Sequence, residues 1–128
     1  MFSIQQRVYY QHTDAGGVVY HGKYIDFCEQ ARTEYLRSKG ANQTNIKKEQ
    51  GIVFAVKTIK CDYKLPAKLD DLLIVTVESV DNNGLIVQIF QKVLLEEKVL
   101  FEMVIDLVCV SDSGKPVRIP KNIKDMLA

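Results

Sequence analysis

The sequence predicts an α+β fold in which one long helix packs against an antiparallel sheet. From about His21 to Lys39, apolar residues recur at the i, i+4, i+7 and i+11 spacing of a single helix face. Beyond residue 52, apolar runs that alternate in places with polar residues are separated by short turn signals. Short hairpin turns can join only antiparallel strands, so the later strands should form an antiparallel sheet.

The first elements follow from local signals. A short alternating run within Met1–Tyr10 predicts a strand, and the glycine-containing turn Asp14–Gly17 ends it. Tyr24, Cys28, Ala31 and Tyr35 mark the buried face of the helix that follows, with Ile25 and Leu36 alongside. Gly40 is a typical stop for this helix, and polar residues 42–50 predict a loop and a short second helix.

About four more strands are predicted after the helices. They cover Ile52–Tyr63, Leu72–Val80, Leu85–Leu95 and Val99–Val110. Asn82-Asn83-Gly84 is a hairpin signal because Asn and Gly tolerate positive φ, and turns are also expected at Glu96-Glu97 and at residues 111–114. Pro120 predicts the start of a short C-terminal helix.

Length and composition predict a single domain over residues 1–128. The chain is 47% hydrophobic and 26% charged, typical of a globular protein, and its net charge of +1 gives no reason to expect nucleic acid as a partner. No signal peptide or transmembrane segment is apparent, so we expect a cytoplasmic protein. Cys28, Cys61 and Cys109 lie far apart, which favours reduced thiols over disulfides or a metal site.

The segment from Tyr10 to His21 carries the most specific chemical pattern. Asp14 precedes Gly16, Gly17 and the start of the long helix, so its carboxylate should lie on a turn beside free backbone N–H groups. An acid/base or nucleophile next to such donors suits attack on a carbonyl, because the donors stabilise the oxyanion that develops. The alternative is structural, since Asp before Gly is also common as a turn or cap residue.

The run from Arg7 to Tyr10 and on through Thr13–His21 resembles the hotdog-fold acyl-CoA thioesterases of the 4-hydroxybenzoyl-CoA thioesterase superfamily. Within it, the chain is similar to the YbgC type, which is found with the bacterial Tol–Pal envelope system. The similarity recurs at residues 29–34, at Tyr63-x-x-Pro66-Ala67-x-Leu69-Asp70-Asp71, and at residues 108–110 with Pro120-Lys121. The resemblance implies a sheet wrapped around one long central helix, and homodimers or homotetramers with active sites between protomers.

The resemblance also implies catalytic roles for three residues. Asp14 would attack the thioester carbonyl or activate a water molecule. The backbone N–H of His21 would polarise the thioester oxygen, and its ring would orient substrate or water. The phenol of Tyr10 would hydrogen-bond Asp14 or the thioester.

Further residues are implied in substrate binding. Gly16, Gly17 and Val18 would lie against the acyl group, and four cations are candidates for the coenzyme A phosphates: Lys64, Lys68, Arg118 and Lys121. Gln11-His12 stands where related proteins carry an acidic pair, which would make the rim of the site less negative. Glu29 is expected to pair with Arg32 or Arg7.

No metal or redox cofactor is expected, because His12 and His21 are isolated and Asp70-Asp71 is typical of a turn before a strand. The predicted function is hydrolysis of an acyl-CoA to a carboxylic acid and coenzyme A, in lipid metabolism. Two alternatives stay open. One is a thioesterase acting on acyl carrier protein; the other is a Tol–Pal-linked interaction protein with incidental hydrolysis. A cytoplasmic location peripheral to the inner membrane is the alternative to a freely cytoplasmic one.

Overall fold

A seven-stranded antiparallel sheet packs against the long helix α1 in the computed structural model of the chain, which describes residues 1–127. The helices are α1 (His21–Ser38), α2 (Gln43–Gln50) and α3 (Lys121–Met126). The strands are β1 (Phe2–Arg7), β2 (Ile52–Tyr63), β3 (Leu72–Val77), β4 (Ser79–Asn82), β5 (Ile86–Leu95), β6 (Lys98–Ser111) and β7 (Pro116–Val117).

The main path of the sheet runs β1-β3-β5-β6-β2, with β4 paired to β5 and β7 paired to β6. Every pairing is antiparallel, as the short turns predicted. β2 pairs with β6 from Ile52 opposite Ser111 to Tyr63 opposite Phe101, with one register shift between Val56 and Thr58. β1 and β2 therefore form the two edges of the main path, and β2 is by far the longer edge.

The core lies between α1 and the inner face of the sheet. Along β6, Phe101, Met103, Ile105, Leu107 and Cys109 are buried and alternate with half-buried residues, which is the period of a strand covered on one face. The predicted buried face of the helix is confirmed at Tyr24, Cys28, Ala31 and Leu36. Two predicted residues, Tyr35 and Ile25, are only half-buried, and Phe27, which the prediction did not include, is buried.

Apart from shifts of one residue at the ends of elements, the structure differs from the sequence prediction in three places. β1 ends at Arg7, and Tyr10 lies in a short 3-10 turn, Tyr10–His12. The predicted strand Leu72–Val80 is interrupted at Glu78, so that β3 pairs with β1 while β4 pairs only with β5. The prediction also lacked the two-residue strand β7.

A buried polar side chain ties α1 to the sheet. Gln91 on β5 is fully buried and donates to the carbonyl oxygen of Cys28 on α1, at 2.9 Å, and to that of Thr76 on β3, at 3.1 Å. Its Oε1 accepts a bond of 3.0 Å from the Arg32 guanidinium, which is itself buried. Burial lowers the pKa of Arg32, and the Gln91 oxygen offsets part of the cost of placing that cation in the core.

The expected ion pair of Glu29 with Arg32 or Arg7 is wrong. Arg32 turns inward to Gln91, and Arg7 donates to the backbone oxygen of Asp70 at 2.7 Å. Glu29 projects from the exposed face of α1 and forms no ion pair with the residues that the structure describes. No helix within residues 1–127 is long and apolar enough to cross a membrane.

We expect Gln91→Leu to lower the free energy of unfolding by about 3 kcal/mol, because the buried Arg32 cation then loses its acceptor. Gln88→Leu is the matched control. Gln88 lies on the same strand but is exposed, so its replacement should cost no more than about 0.5 kcal/mol. Urea unfolding of both variants tests this, and equal costs would show that the buried bonds contribute little.

Candidate active site

The Asp14 turn is the tip of a small hairpin formed by residues 12–20. The Asp14 N–H donates to the Val18 oxygen at 2.9 Å, and the Tyr20 N–H donates to the His12 oxygen at 2.9 Å. At the tip, the Gly17 N–H donates to the Asp14 oxygen at 3.0 Å, with a φ of +80° at Gly17 that strongly favours glycine. The hairpin delivers the chain directly from Asp14 into the first turn of α1.

A hydrogen bond orients the Asp14 carboxylate, and no cation among residues 1–127 pairs with it. Its Oδ1 accepts a bond of 2.8 Å from the Gly16 N–H, and the side chain forms no ion pair among residues 1–127. A Cβ at Gly16 would lie 3.2 Å from that same oxygen, a tight contact that glycine avoids without moving the carboxylate. The residue is exposed, which leaves the carboxylate accessible to a substrate.

The segment 63–71 clamps this hairpin against α1. The Val19 N–H donates to the Ala67 oxygen at 2.9 Å, and the Ala67 N–H donates to the Tyr24 hydroxyl at 2.9 Å. Lys68 lies opposite Val18 in an isolated bridge. Two sequence motifs far apart in the chain therefore form one structural unit, with Ala67 as the link.

His12 supports the hairpin from inside, which the sequence did not reveal. It is buried, its Nδ1 accepts a bond of 2.9 Å from the Tyr9 N–H, and its ring meets the edge of Phe27 at 4.9 Å between centroids. Burial lowers the pKa of His12, and the nearby charge of Lys23 lowers it further. Of the Gln11-His12 pair only Gln11 is exposed, because the His12 ring faces the core. The expected effect of this pair on the charge at the rim stays a prediction.

The first turn of α1 presents free backbone donors. Tyr20, the residue before the helix, provides no side-chain cap. The N–H groups of His21 and Gly22 have no acceptor among the described residues. Such groups, with the positive end of the helix dipole, favour negative charge at this point.

A cavity of about 250 Å³ opens at the same helix terminus. It is lined by Val19, His21, Tyr24, Tyr63, Lys64, Leu65 and Pro66. The Tyr63 hydroxyl donates a bond of 2.7 Å to the His21 carbonyl oxygen, which fixes the end of β2 to the start of α1. Sequence reasoning gave Tyr63 no role, although it lies in a motif that the resemblance singled out.

The other predicted site residues are only partly brought together. The Tyr10 side chain is 83% exposed and forms no hydrogen bond to Asp14 within this chain. Gly16, Gly17 and Val18 lie on the hairpin with Asp14, as expected for one site. The His21 ring lies on the surface against Tyr20, with centroids 4.2 Å apart.

Two of the predicted lysines, Lys64 and Lys68, differ in electrostatic setting. Lys64 Nζ lies 3.0 Å from Asp62 and 3.2 Å from Glu102, and these bonds raise the pKa of Lys64. Its charge is thereby matched by two carboxylates. Lys68 forms no ion pair among residues 1–127 and lies beside the hairpin, so it is the better placed of the two for an anionic substrate.

Several other groups have structural roles. Asp71 Oδ2 accepts from the Lys68 N–H at 2.9 Å, and Asp70 has a φ of +73°, which is the geometry of a turn. No cluster of three metal-ligating side chains occurs within residues 1–127. Burial raises the pKa of the Cys28 thiol to about 12 and that of Cys109 to about 11, so these thiols are protonated and poor nucleophiles.

Comparison with known proteins identifies the family. The sequence profile of the thioesterase-like superfamily matches residues 8–127. The chain belongs to this superfamily. The thioester-hydrolase class predicted from its motifs and the hotdog fold are both confirmed.

Relatives of the thioesterase-like superfamily cover almost the whole chain. The chain is 45% identical over 125 residues to the acyl-CoA thioesterase YbgC of Haemophilus influenzae, and the match covers 96% of this chain and 91% of that protein. It is 38% identical to the acyl-CoA thioester hydrolase YbgC of Escherichia coli O6:H1, over 96% and 92%. A probable thioesterase from Bartonella henselae superposes with a TM-score of 0.87 at 32% identity, over 92% and 98%. A hypothetical protein from Aquifex aeolicus gives 0.93 at 29% identity, with both chains fully covered.

The His12 contact is expected to make stability depend on pH. Because the pKa of His12 is lower in the folded than in the unfolded chain, the unfolded state binds a proton first as the pH falls. The contribution of neutral His12 to the free energy of unfolding is complete above about pH 6.5 and is lost as the pH falls through the folded-state pKa of His12. We expect His12→Asn, whose side-chain oxygen can still accept from Tyr9, to flatten this dependence.

Urea unfolding between pH 5 and pH 8 measures the effect. The control is His21→Asn, which removes an exposed imidazole and should retain the slope of the unmodified chain. A His12→Asn protein with that same slope would exclude His12 as the source.

Proposed function

We propose that this thioester hydrolase acts on acyl-CoA and that Asp14 performs the chemistry. One observation carries the proposal: an exposed, unneutralised carboxylate is held by Gly16 on a hairpin that leads directly to free N–H groups at the start of α1. A carbonyl placed between them would meet an attacking group on one side and oxyanion donors on the other. The relatives named acyl-CoA thioesterases support the choice of substrate.

Two routes use the same groups. In the first, an Asp14 oxygen attacks the thioester carbon, the C–S bond breaks to release the coenzyme A thiolate, and water then hydrolyses the resulting anhydride. In the second, Asp14 accepts a proton from the water that attacks the carbon, and the thiolate leaves with that proton. Both routes yield a carboxylic acid and coenzyme A, and both consume one water molecule. Hydrolysis transfers no electrons to an acceptor, so the proposal includes no redox cofactor.

We expect Asp14→Ala to lower kcat at least 100-fold, because either route loses its reacting group. The control is Asp112→Ala, which removes an exposed carboxylate from another turn and should retain the activity. A panel of acyl-CoAs assayed by thiol release measures both, with urea unfolding to verify that each variant is folded. A folded Asp14→Ala variant with the same kcat as the unsubstituted protein would contradict the proposed role.

The active protein is proposed to be a homo-oligomer joined along β2. On this edge strand the inner-face residues Val56, Ile59 and Tyr63 are 53, 39 and 46% exposed, although their neighbours across the sheet on β6 are buried. A free edge of 12 residues offers its unpaired backbone groups to another strand. A second copy paired antiparallel along this edge would cover those side chains and close the cavity at Tyr63.

We expect Ile59→Lys to convert the dimer to a monomer and to lower activity with it, because the cation would enter the apolar interface. The matched control, Lys60→Glu, changes the adjacent residue on the outer face of the sheet and should leave assembly unchanged. Sedimentation velocity and thiol release at the same concentrations measure both properties. A fully active monomer would show that the site needs only one chain.

A further inference from the structure

Arg32 on α1 is a buried cation whose charge no carboxylate balances. Its side chain is 7% exposed, and among residues 1–127 it forms one hydrogen bond, from Nη1 to Gln91 Oε1 at 3.0 Å. A guanidinium carries five N–H donors, so four of them have no acceptor in the part of the chain that the structure describes. Glu29, three residues earlier on α1, is exposed and forms no ion pair with Arg32. The amide oxygen of Gln91 therefore compensates only part of the cost of burying this charge.

The Arg32 side chain borders a small cavity, the Arg32 cavity, between α1 and the inner face of the sheet. Its volume is about 30 Å³. Six apolar residues from α1, β2, β5, β6 and the end of α3 form most of its walls: Leu36, Phe54, Val87, Ile89, Leu107 and Leu127. Tyr35, which is half-buried, and Gln43, which is exposed, complete the lining. Within residues 1–127, Arg32 is thus the one cation in contact with the Arg32 cavity, and no carboxylate lines it.

The size of the Arg32 cavity limits what can bind there. One water molecule takes up about 30 Å³ in the liquid, so the cavity suits a water molecule or a monatomic ion. A phosphate group, or a carboxylate with an acyl chain attached, is too large. A water molecule would accept N–H bonds from Arg32 but would bring no charge, whereas a monatomic anion would accept the same bonds and also balance the cation.

The apolar walls favour a monovalent anion. Walls without hydrogen-bond donors return none of the hydration that an ion loses on entering, and that loss is greater for a divalent anion than for a monovalent one. The guanidinium is more weakly hydrated than an ammonium group, so less of its own hydration opposes the pairing. A halide ion meets both conditions of size and charge.

We propose that Arg32 binds a chloride ion in the Arg32 cavity. The ion accepts from guanidinium N–H groups that have no protein acceptor, while Nη1 retains its bond to Gln91. Gln91 also bonds Cys28 on α1 and Thr76 on β3, so the ion reinforces the polar contact that holds α1 on the sheet. An ion that binds the folded chain but not the unfolded chain shifts the equilibrium toward the folded state.

The dependence of stability on chloride tests this site. Urea unfolding is measured at one protein concentration while sodium chloride replaces sodium gluconate at constant ionic strength, because gluconate is too large for the Arg32 cavity. For the unmodified chain, the ratio of folded to unfolded protein should rise about tenfold when chloride reaches ten times its Kd. A Kd on the order of 20 mM places that rise within ordinary salt concentrations.

Two arginine variants assign the response to its source. Arg32→Met keeps an unbranched side chain in the core but removes the cation, so its stability should be the same in chloride and in gluconate. The control is Arg37→Met, which removes an exposed arginine from the same helix and should retain the full chloride response. A folded Arg32→Met protein that still responds to chloride would overturn the proposal, as would equal stability of the unmodified chain in the two salts.

A second measurement needs no variant, and it decides the site even if Arg32→Met does not fold. Bromide is a chemical substitute for chloride that scatters X-rays anomalously, so a crystal of the unmodified protein grown in sodium bromide should show an anomalous peak beside the Arg32 guanidinium. A crystal with no peak at the Arg32 cavity would refute the site. Neither measurement uses a thioester, so both results are independent of the proposed function.

Discussion

The position of α1 on the sheet is the constraint on which the rest of the structure depends. Apolar burial along the helix holds it against the inner face, but apolar contact alone is not directional. Gln91 supplies direction, because its bonds to Cys28, Thr76 and Arg32 are satisfied at only one placement of α1 over β3 and β5. That placement sets where the first turn of α1 emerges, and hence where its free N–H groups meet the Asp14 hairpin.

Most of the fold could be predicted because its signals are local. The helix bounds follow from a 3.6-residue period and Gly40, and the Asn82–Gly84 turn follows from residues that accept positive φ. Gln91 and His12 could not be predicted, since a polar residue in an apolar segment looks the same whether it faces solvent or completes a buried network. Only their partners, which lie on other elements, decide between these states.

In the candidate site too, some features follow from local signals, and others depend on residues from distant parts of the chain. The spacing of Asp14 and its glycines predicted the turn before α1 that the structure shows, whereas their catalytic role stays a prediction. The resemblance singled out the segment from Tyr63 to Asp71 without explaining it. The structure supplies a physical reason for that segment: Ala67 clamps the hairpin and Tyr24, while Tyr63 fixes the first residue of α1. The pairing of the Lys64 cation with Glu102 could not be predicted from the sequence, because Glu102 lies on a different strand.

The open edge at β2 connects assembly with chemistry. Within one chain, Asp14 is exposed. The cavity at the start of α1 has a volume of about 250 Å³, which is smaller than the roughly 300–1,000 Å³ of most ligand sites. Hydrogen-bond donors stabilise a developing oxyanion far more strongly once water is excluded, because the local dielectric falls. If a second copy covers Val56, Ile59 and Tyr63, it also walls the cavity beside His21. The same contact would then bury the apolar edge and create the dry surroundings in which the α1 donors act most strongly, so under the proposed assembly the long unpaired strand would itself form part of the site.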